Sequence, residues 1–409
     1  MTDLLHAIAL NADRAVLDAA CAAPMLEQIL KWSAINSGSR NLDGLSAMAS
    51  ELTDAFSVLP GKIDRLPAVV PASVAPDGRE IPMPLCDNIL LTVRPDAPLQ
   101  LLFTGHMDTV FPVDSGFQQT TWLSDEVLNG PGVADMKGGI AVMLAALTAF
   151  EASPLRDRIG YQVVLNSDEE IGSPGSAALL AQAARGKQAA FTYEPSALPD
   201  GTLAGARPGS GNFSIIVTGR SAHAGRNPAD GRNALLAAAD IALRLEALIR
   251  DGLTVNPAKI DGGSPNNVVP DHAILRVNMR PRTPADQSYA QSALTAILDE
   301  VAHRRDVSIH IHGGFARPPK PMDDRALALF NLVRSCGLKL GQDIGWRDTG
   351  GVCDGNNIAA CGVPVVDTMG VRGGSIHSAD EYLIVPSLPE RASLTALILC
   401  TLARDGMPA

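Results

Sequence analysis

A change of rhythm in the middle of the chain constrains the fold more than any other feature. Up to about residue 207, short apolar runs alternate with longer helical patterns. Ile89–Val93, Leu99–Phe103, Gln162–Leu165 and Ala189–Tyr193 predict buried strands, and Met136–Phe150 and Ala177–Ala184 predict helices. Such alternation requires a sheet with helices on both faces. Helical spacing of apolar residues predicts two further helices ahead of it, over Met25–Trp32 and Leu45–Phe56. From Phe213 the order becomes β-α-β-β-α-β. Strands are predicted at Phe213–Gly219, Ile260–Val269, Ile274–Arg280 and Val307–Gly313, with helices at Gly231–Arg250 and Ala285–His303. That order is ferredoxin-like. It is bracketed by the turn-rich segments ARPGSG (Ala206–Gly211) and RPPKP (Arg317–Pro321). The expectation is an α/β domain, a mixed sheet flanked by helices, built from residues 1–207 and 319–409 and interrupted by a ferredoxin-like α+β domain over 208–318. A chain of 409 residues has room for two cores. A last helix is predicted from Ser387, where Glu390 completes a capping-box pattern, to Ala403.

Charge and composition exclude several partners. The formal net charge is −11 and no run of Lys and Arg occurs, which argues against nucleic acid and against an anionic membrane surface. The six cysteines are scattered, with no CxxC pair, and read as reduced thiols. The opening MTDLLHAIALNADRAVLD is interrupted by Asp3, Asp13 and Arg14 and does not read as a secretory leader. No stretch reaches the ~20 apolar residues of a membrane helix. The expected location is the cytoplasm.

The chemistry is concentrated in five loops. His106 and Asp108 lie in LLFTGHMDTV, just past a buried strand. Asp135 lies in the Gly-rich turn NGPGVADMKGG at the start of a helix. Glu169 and Glu170 follow a strand in VVLNSDEEIGS, Glu194 ends one in FTYEPS, and His377 lies in GGSIHSADEY after the predicted strand Val363–Met369. These positions fall at the C-terminal ends of strands or beside them, the edge where open α/β sheets bind ligands. So many carboxylates in one crevice would repel each other, and a metal centre resolves the conflict.

Five protein ligands are too many for one catalytic zinc that keeps a position open. Two Zn2+ ions, three carboxylates and a bridging hydroxide give a neutral site. Asp135 is the expected bridge, with His106 and Glu194 completing one metal and Glu170 and His377 the other. Asp108, two residues from His106, is placed to accept the proton on the far ring nitrogen. Glu169 adjoins Glu170, so in an extended segment the two point apart. One then binds metal while the other serves as general base toward the bridging water.

GHMDTV, GPGVADMKGG, SDEEIGS, YEPS and IHSADEY together resemble, in order, the metal-site motifs of the co-catalytic zinc peptidases. That family includes glutamate carboxypeptidase, acetylornithine deacetylase, succinyl-diaminopimelate desuccinylase and aminoacylase. Glu194 in YEPS, with INSGSRNLDGL and TGGVCDG, is most similar to the glutamate carboxypeptidase type. The resemblance implies the same ligand set, a cis peptide after Asp135, and a homodimer formed through the inserted domain. It also implies substrate roles for three residues. His223 in TGRSAHAG would reach the partner subunit's site and steady an oxyanion, Asn267 in NNVVP would lie near the substrate, and Arg280 in LRVNMR would hold a substrate carboxylate. Arg276, Asn278 and Arg280 share the polar face of their strand, opposite Leu275, Val277 and Met279. In glutamate-specific relatives the loop after the Glu ligand carries a Lys. Here Pro195–Ala206 has none, and Arg207 is the first cation downstream.

The expected activity is metal-dependent hydrolysis of an amide or peptide bond beside a free carboxylate. The reaction is carboxypeptidase-type, or alternatively removal of an acyl group from an N-acyl amino acid. Zn2+ is the expected metal, with Co2+ or Mn2+ as substitutes, and a small peptide or N-acyl amino acid is the expected substrate. A catalytically silent binding or dimerisation protein is the rival from another class. All five ligands and Glu169 are present, which argues against it. His310 and His312 form an H-x-H pair, but alternation with Val307, Ile309 and Ile311 reads as a half-exposed strand. Cys353 lacks the partners of a nucleophile and reads as lining the pocket. GPGVADMKGG lacks the GK[ST] ending of a phosphate loop.

Overall fold

The computed structural model describes residues 13–408, so the reading of the first twelve residues lies outside the described part. A six-stranded mixed sheet forms the larger unit. Its strands run, across the sheet, Lys62–Leu66, Asn88–Val93, Ile159–Asn166, Leu99–His106, Ala189–Thr192 and Val365–Val366. The last four are mutually parallel, so their C-terminal ends share one edge. The side chains of Leu99–His106 alternate between two cores. Leu101 and Phe103 pack toward the Met25–Ser33, Gly139–Glu151 and Ser387–Asp405 helices, while Leu102 packs with Val164, Ala190, Leu180 and Ile358 on the other face. Phe103 sits among Tyr161, Phe191 and Tyr193 at centroid distances of 5.7, 5.8 and 6.3 Å.

The Gly139–Glu151 helix (GIAVMLAALTAFE) is apolar on every side and is almost wholly buried. With the turn before it, it is the one described segment apolar and long enough to cross a membrane, but 94% of it lies inside the protein. Its first residue must be glycine, because a Cβ there would lie 1.9 Å from the Tyr193 carbonyl. This close approach seats the helix against the edge of the sheet that carries the chemistry.

The second unit is a four-stranded antiparallel sheet over Ser210–Arg317. Its strands lie in the order Leu253–Gly262, His272–Pro281, Ser210–Thr218, Ser308–Arg317, with the Ala234–Glu246 and Pro284–Arg305 helices on one face. This is the ferredoxin-like arrangement, with its own core around Phe213, Ile215, Ile241, Leu275 and Leu294. Thr283 caps the longer helix by accepting the Asp286 N–H, with Pro284 at the first turn. Leu275, Val277 and Met279 are buried, while Arg276, Asn278 and Arg280 are half-buried on the opposite face, as the alternation predicts.

Three local expectations need correction. The strand expected at Ile260–Val269 spans Leu253–Gly262 instead. Pro257 hid it from the pattern, and the fold tolerates that proline because this is an edge strand with a register shift between Pro257 and Lys259. The helix expected over Gly231–Arg250 spans only Ala234–Glu246. Ser387 does not cap the last helix; its hydroxyl donates to the Ile384 carbonyl and accepts the Arg372 N–H, and Pro386 takes the cap position. His310 and His312 lie on the Ser308–Arg317 strand and each meets Glu80 at 3.0 Å.

Candidate metal centre

Parallel strands end at or just before His106, Glu170 and Glu194, while Asp135 reaches the same place from the turn ahead of the Gly139–Glu151 helix and His377 from the loop after Gly373–Gly374. His106 ends its strand, and its Nε2 lies 3.2 Å from Asp135 Oδ1 and 3.7 Å from Glu194 Oε2. His377 Nε2 lies 3.3 Å from Asp135 Oδ2 and 3.2 Å from Glu170 Oε2. Asp135 thus presents one oxygen to each histidine. The donor atoms form two groups, His106–Asp135–Glu194 and Asp135–Glu170–His377, each with all its atoms within 4.8 Å of one another. Glu194 Oε1 is buried with no hydrogen-bond partner, an orphan acceptor of the kind a cation satisfies. The residues present therefore fit divalent metal.

The protonation pattern points the same way. Burial, together with the Asp135 charge, pushes the Glu170 carboxyl up to about 8, and burial pushes Glu194 up to about 8. Hydrogen bonds that the imidazole donates to Asp135 and Glu170 carry His377 up to about 11. Burial opposes ionisation of His106 and of Asp135 alike. The carboxylates around His106 nonetheless raise it well above the imidazole range, and the two histidines hold Asp135 below the carboxylate range. Without metal, burial and crowding thus favour protons on Glu170, Glu194 and both histidines.

Asp135 lies in a π-turn, Val133–Gly138, and is joined to Met136 by a cis peptide bond. Gly132 opens the turn with φ of 71°, where a side chain would be strained and would crowd Thr109. Glu381 holds the turn from outside. Its carboxylate accepts the N–H groups of Gly132 (3.2 Å), Ala134 (3.0 Å) and Asp135 (3.0 Å), and burial followed by the Asp135 charge pushes it up to about 7. Glu381 lies in the IHSADEY motif, four residues after His377. Lys137 is also buried; its ammonium donates to the Ile35 carbonyl at 3.0 Å, and burial brings it down to about 8.

Asp108 is fully buried beside His106. The imidazole Nδ1 meets the Asp108 carbonyl at 3.0 Å, with the carboxylate farther off at 3.4 Å. That carboxylate is turned to accept Ser39 Oγ (2.7 Å) and the N–H groups of Glu169 and Glu170 (3.1 Å each). It therefore ties the His106 strand end to the acidic turn. Glu169–Ile171 is a 3-10 turn rather than extended chain, yet the two carboxylates still diverge. Glu170 faces His377, while Glu169 Oε1 meets Arg317 Nη1 at 2.5 Å.

Arg317 was invisible to the pattern except as part of a domain boundary. It is 3% exposed. Its Nη2 donates to the Glu169 carbonyl and to Ser173 Oγ, both at 2.9 Å, and Asp354 stands at 3.4 Å. Burial raises the Glu169 pKa, and the Arg317 charge is the largest influence opposing that rise. The base candidate is thus held in place by a cation that closes the inserted domain's last strand.

A cavity of about 980 Å3 joins these parts, lined by Asp135, Glu169, Glu170, Glu194, Arg317 and His377, together with Arg280 from the inserted domain and Cys353. His223 and Asn267 are exposed on neighbouring loops of the inserted domain and do not line it.

Known proteins share this architecture. The model of peptidase family M20/M25/M40 matches residues 102–401. Carboxypeptidase G2 of a Pseudomonas species is 29% identical over 331 residues, covering 77% of each chain. A succinyl-diaminopimelate desuccinylase of Dechloromonas aromatica is 30% identical over 325 residues, 74% of this chain and 83% of that one. Among solved structures, a Staphylococcus aureus tripeptidase superposes with a TM-score of 0.72 at 24% identity, covering 93% of this chain and 98% of its own. An M20 family metallo-carboxypeptidase of Sulfolobus solfataricus gives 0.71 at 15% identity, covering 93% and 99%. With two linked donor groups at the shared strand edge and a family match over most of its length, the chain belongs to peptidase family M20/M25/M40, metal-dependent hydrolases of amide bonds.

Proposed function

We propose that the protein is a carboxypeptidase-type hydrolase that cleaves an amide bond beside a free carboxylate, using two zinc ions. The observation that carries this reading is the pair of donor groups sharing Asp135 inside a cavity that also exposes Glu169 and Arg280. Zinc held by His106, Asp135 and Glu194, and by Asp135, Glu170 and His377, would polarise the scissile carbonyl and make water acidic near neutral pH.

The chain's own residues do the rest. Arg317 and the Asp108-bound turn fix the Glu169 carboxylate facing the cavity. Glu169 removes a proton from the attacking water and returns it to the departing amine. Arg280, half-buried and without a carboxylate partner among the described residues, holds the substrate's free carboxylate. His223 and Asn267, which do not line their own cavity, serve that of a second copy in a homodimer. Sedimentation of the purified protein tests this last point, and a monomer at working concentration would remove those two residues from the scheme.

Amino-acyl and N-acyl substrates both satisfy these groups. The kinship with a carboxypeptidase and with a desuccinylase supports screening both kinds. The decisive assay is hydrolysis of dipeptides and N-acyl amino acids by protein loaded with Zn2+, with Co2+ and Mn2+ in parallel and a chelator control. Cleavage that needs metal, and that fails when the substrate carboxylate is amidated, is the expected result. Cleavage indifferent to amidation would overturn it.

A further inference from the structure

Two chain crossings join the inserted unit to the larger one, and they lie side by side. Arg207 and Lys320 exchange backbone hydrogen bonds at 2.9 and 3.0 Å, and the buried Asn356 side chain donates to the carbonyls of Pro208 and Pro318 at 2.8 Å each. Adjacent crossings act as a single hinge, so the tilt of the inserted sheet is left to contacts elsewhere. That tilt matters because the face of the sheet that carries no helix lines the catalytic cavity near the hinge, through Asn212, Asn278 and Arg280.

The far end of the same face meets a hairpin of the larger unit, Ala72–Val74 paired with Glu80–Pro82. Its contacts reach three strands of the inserted sheet. Arg276 Nη2 donates to the Val74 carbonyl at 3.1 Å, His272 Nε2 meets the Pro76 carbonyl at 3.3 Å, and Glu80 Oε1 lies 3.0 Å from both His310 Nε2 and His312 Nδ1. Gly78, at the hairpin tip with φ of 84°, sits so close that a Cβ there would lie 2.8 Å from the His272 ring and 3.0 Å from Ile216 Cγ2. Ile216 and its cross-strand partner Ile274 are 7% and 0% exposed, although no helix covers their face. Ile216 lies six residues past Ser210 on its strand, roughly 20 Å from the hinge. At its base the hairpin is tied to the acidic turn: the Val69 N–H donates to the Gly175 carbonyl at 3.1 Å, and the Gly175 N–H donates to Asp168, the residue before Glu169. Arg79 pairs with Asp77 inside the hairpin and Arg276 with Asp261 on the sheet, so the Glu80 carboxylate goes to the two imidazoles.

We propose that the hairpin over 72–82 is a strap between the units, which sets the tilt of the inserted sheet over the catalytic cavity by bearing on it far from the hinge. Glu80, His310 and His312 are its fastening, and the Gly78 contact with Ile216 is its seat. Released, the inserted unit swings on its paired crossings and carries Arg280 away from the metal cluster. An exposed ion pair contributes little by itself, so the seat holds more of the strap than the fastening does.

The test compares the full-length, zinc-loaded protein with Gly78→Val and Glu80→Lys, neither of which touches a metal ligand. A two-stranded hairpin is marginally stable alone, so slow amide hydrogen exchange over 72–82 reports docking. Exchange there should quicken about tenfold or more in Gly78→Val and about two- to fivefold in Glu80→Lys, with the Leu99–His106 strand unchanged in both. The tilt is read by double electron–electron resonance between nitroxides on cysteines replacing the exposed Asp54 and Gln291, one on each unit. The exposed Cys21 and Cys361 are changed to serine, and labelled chains are diluted with unlabelled protein. One narrow distance distribution is expected in the otherwise unchanged chain, shifted or broadened in both variants. Hairpin amides that exchange as fast as unfolded chain before any substitution would overturn the proposal. So would quickened exchange with an unchanged distance distribution, which would make the hairpin a local cover only. Neither readout uses hydrolysis, so a failure of the proposed activity leaves this inference standing.

Discussion

Replacing Asp367 by Asn tests the charge arrangement behind the catalytic cavity. Arg207 Nε and Lys320 Nζ share Asp367 Oδ2 at 2.7 and 3.2 Å, so the two cations are at most about 5.9 Å apart, the sum of those distances. At an effective dielectric of about 20 their repulsion is about 3 kcal/mol, against attractions to the carboxylate of about 6 and about 5 kcal/mol. Asp367→Asn removes the attractions, leaves the repulsion, and retains an amide oxygen for only part of the hydrogen bonding. Breaking a buried pair in this way costs about 3–5 kcal/mol. Adding Lys320→Met to the Asn variant should recover about 2–3 kcal/mol by removing the repulsion.

Denaturant titration followed by tryptophan fluorescence reads both steps. The pH dependence has a definite sign. Burial alone would raise the Asp367 pKa, but Arg207 and Lys320 hold it below the ordinary carboxylate range. A depressed folded-state pKa contributes stability that is complete above the unfolded value near ~3.9 and is lost as pH falls through the folded one. The gap between wild type and variant should therefore be constant through neutral pH and close only in acid. An Asn variant within about 1 kcal/mol of wild type at pH 7, or no recovery in the double variant, would refute the reasoning.

Three further outcomes follow from the metal centre. Glu169→Gln should lower kcat by about 10^2–10^4 with zinc content unchanged, measured by steady-state kinetics and metal analysis; full activity would eliminate Glu169 as the base. Zinc loading of the metal-free protein at pH 7 should release protons, because Glu170 and Glu194 titrate at about 8 and His377 at about 11 yet must be deprotonated to bind. Affinity should therefore rise with pH, and calorimetry in buffers of different ionisation enthalpy would expose an absence of proton release. Glu381→Gln should loosen the Asp135 turn and weaken zinc binding about 10–100-fold in a competition titration with a chromogenic chelator; unchanged affinity would show that the turn holds itself.

The sequence by itself determined the two-unit organisation and the candidates for the metal cluster. Apolar periodicity is a local property, and strand ends announce themselves by the loops that follow. His106, Asp135, Glu170, Glu194 and His377 could therefore be picked out before anything was known of their distances. Pro257 shows the limit of that reading, since only its place on a sheet edge explains why a strand survives it.

The partners of these groups were decided by tertiary structure alone. Glu169 meets Arg317 across 148 positions of sequence, Glu381 reaches the Asp135 turn across 246, and Arg207 meets Asp367 across 160. No periodicity links residues so far apart. Their pairing follows from where the inserted sheet closes on the strand edge, and burial there gives each charge its need for a specific partner. Local pattern located the atoms that would touch a metal, whereas three-dimensional packing decided that Arg317 meets Glu169 and that Arg280 lines the cavity with no acid facing it among the described residues.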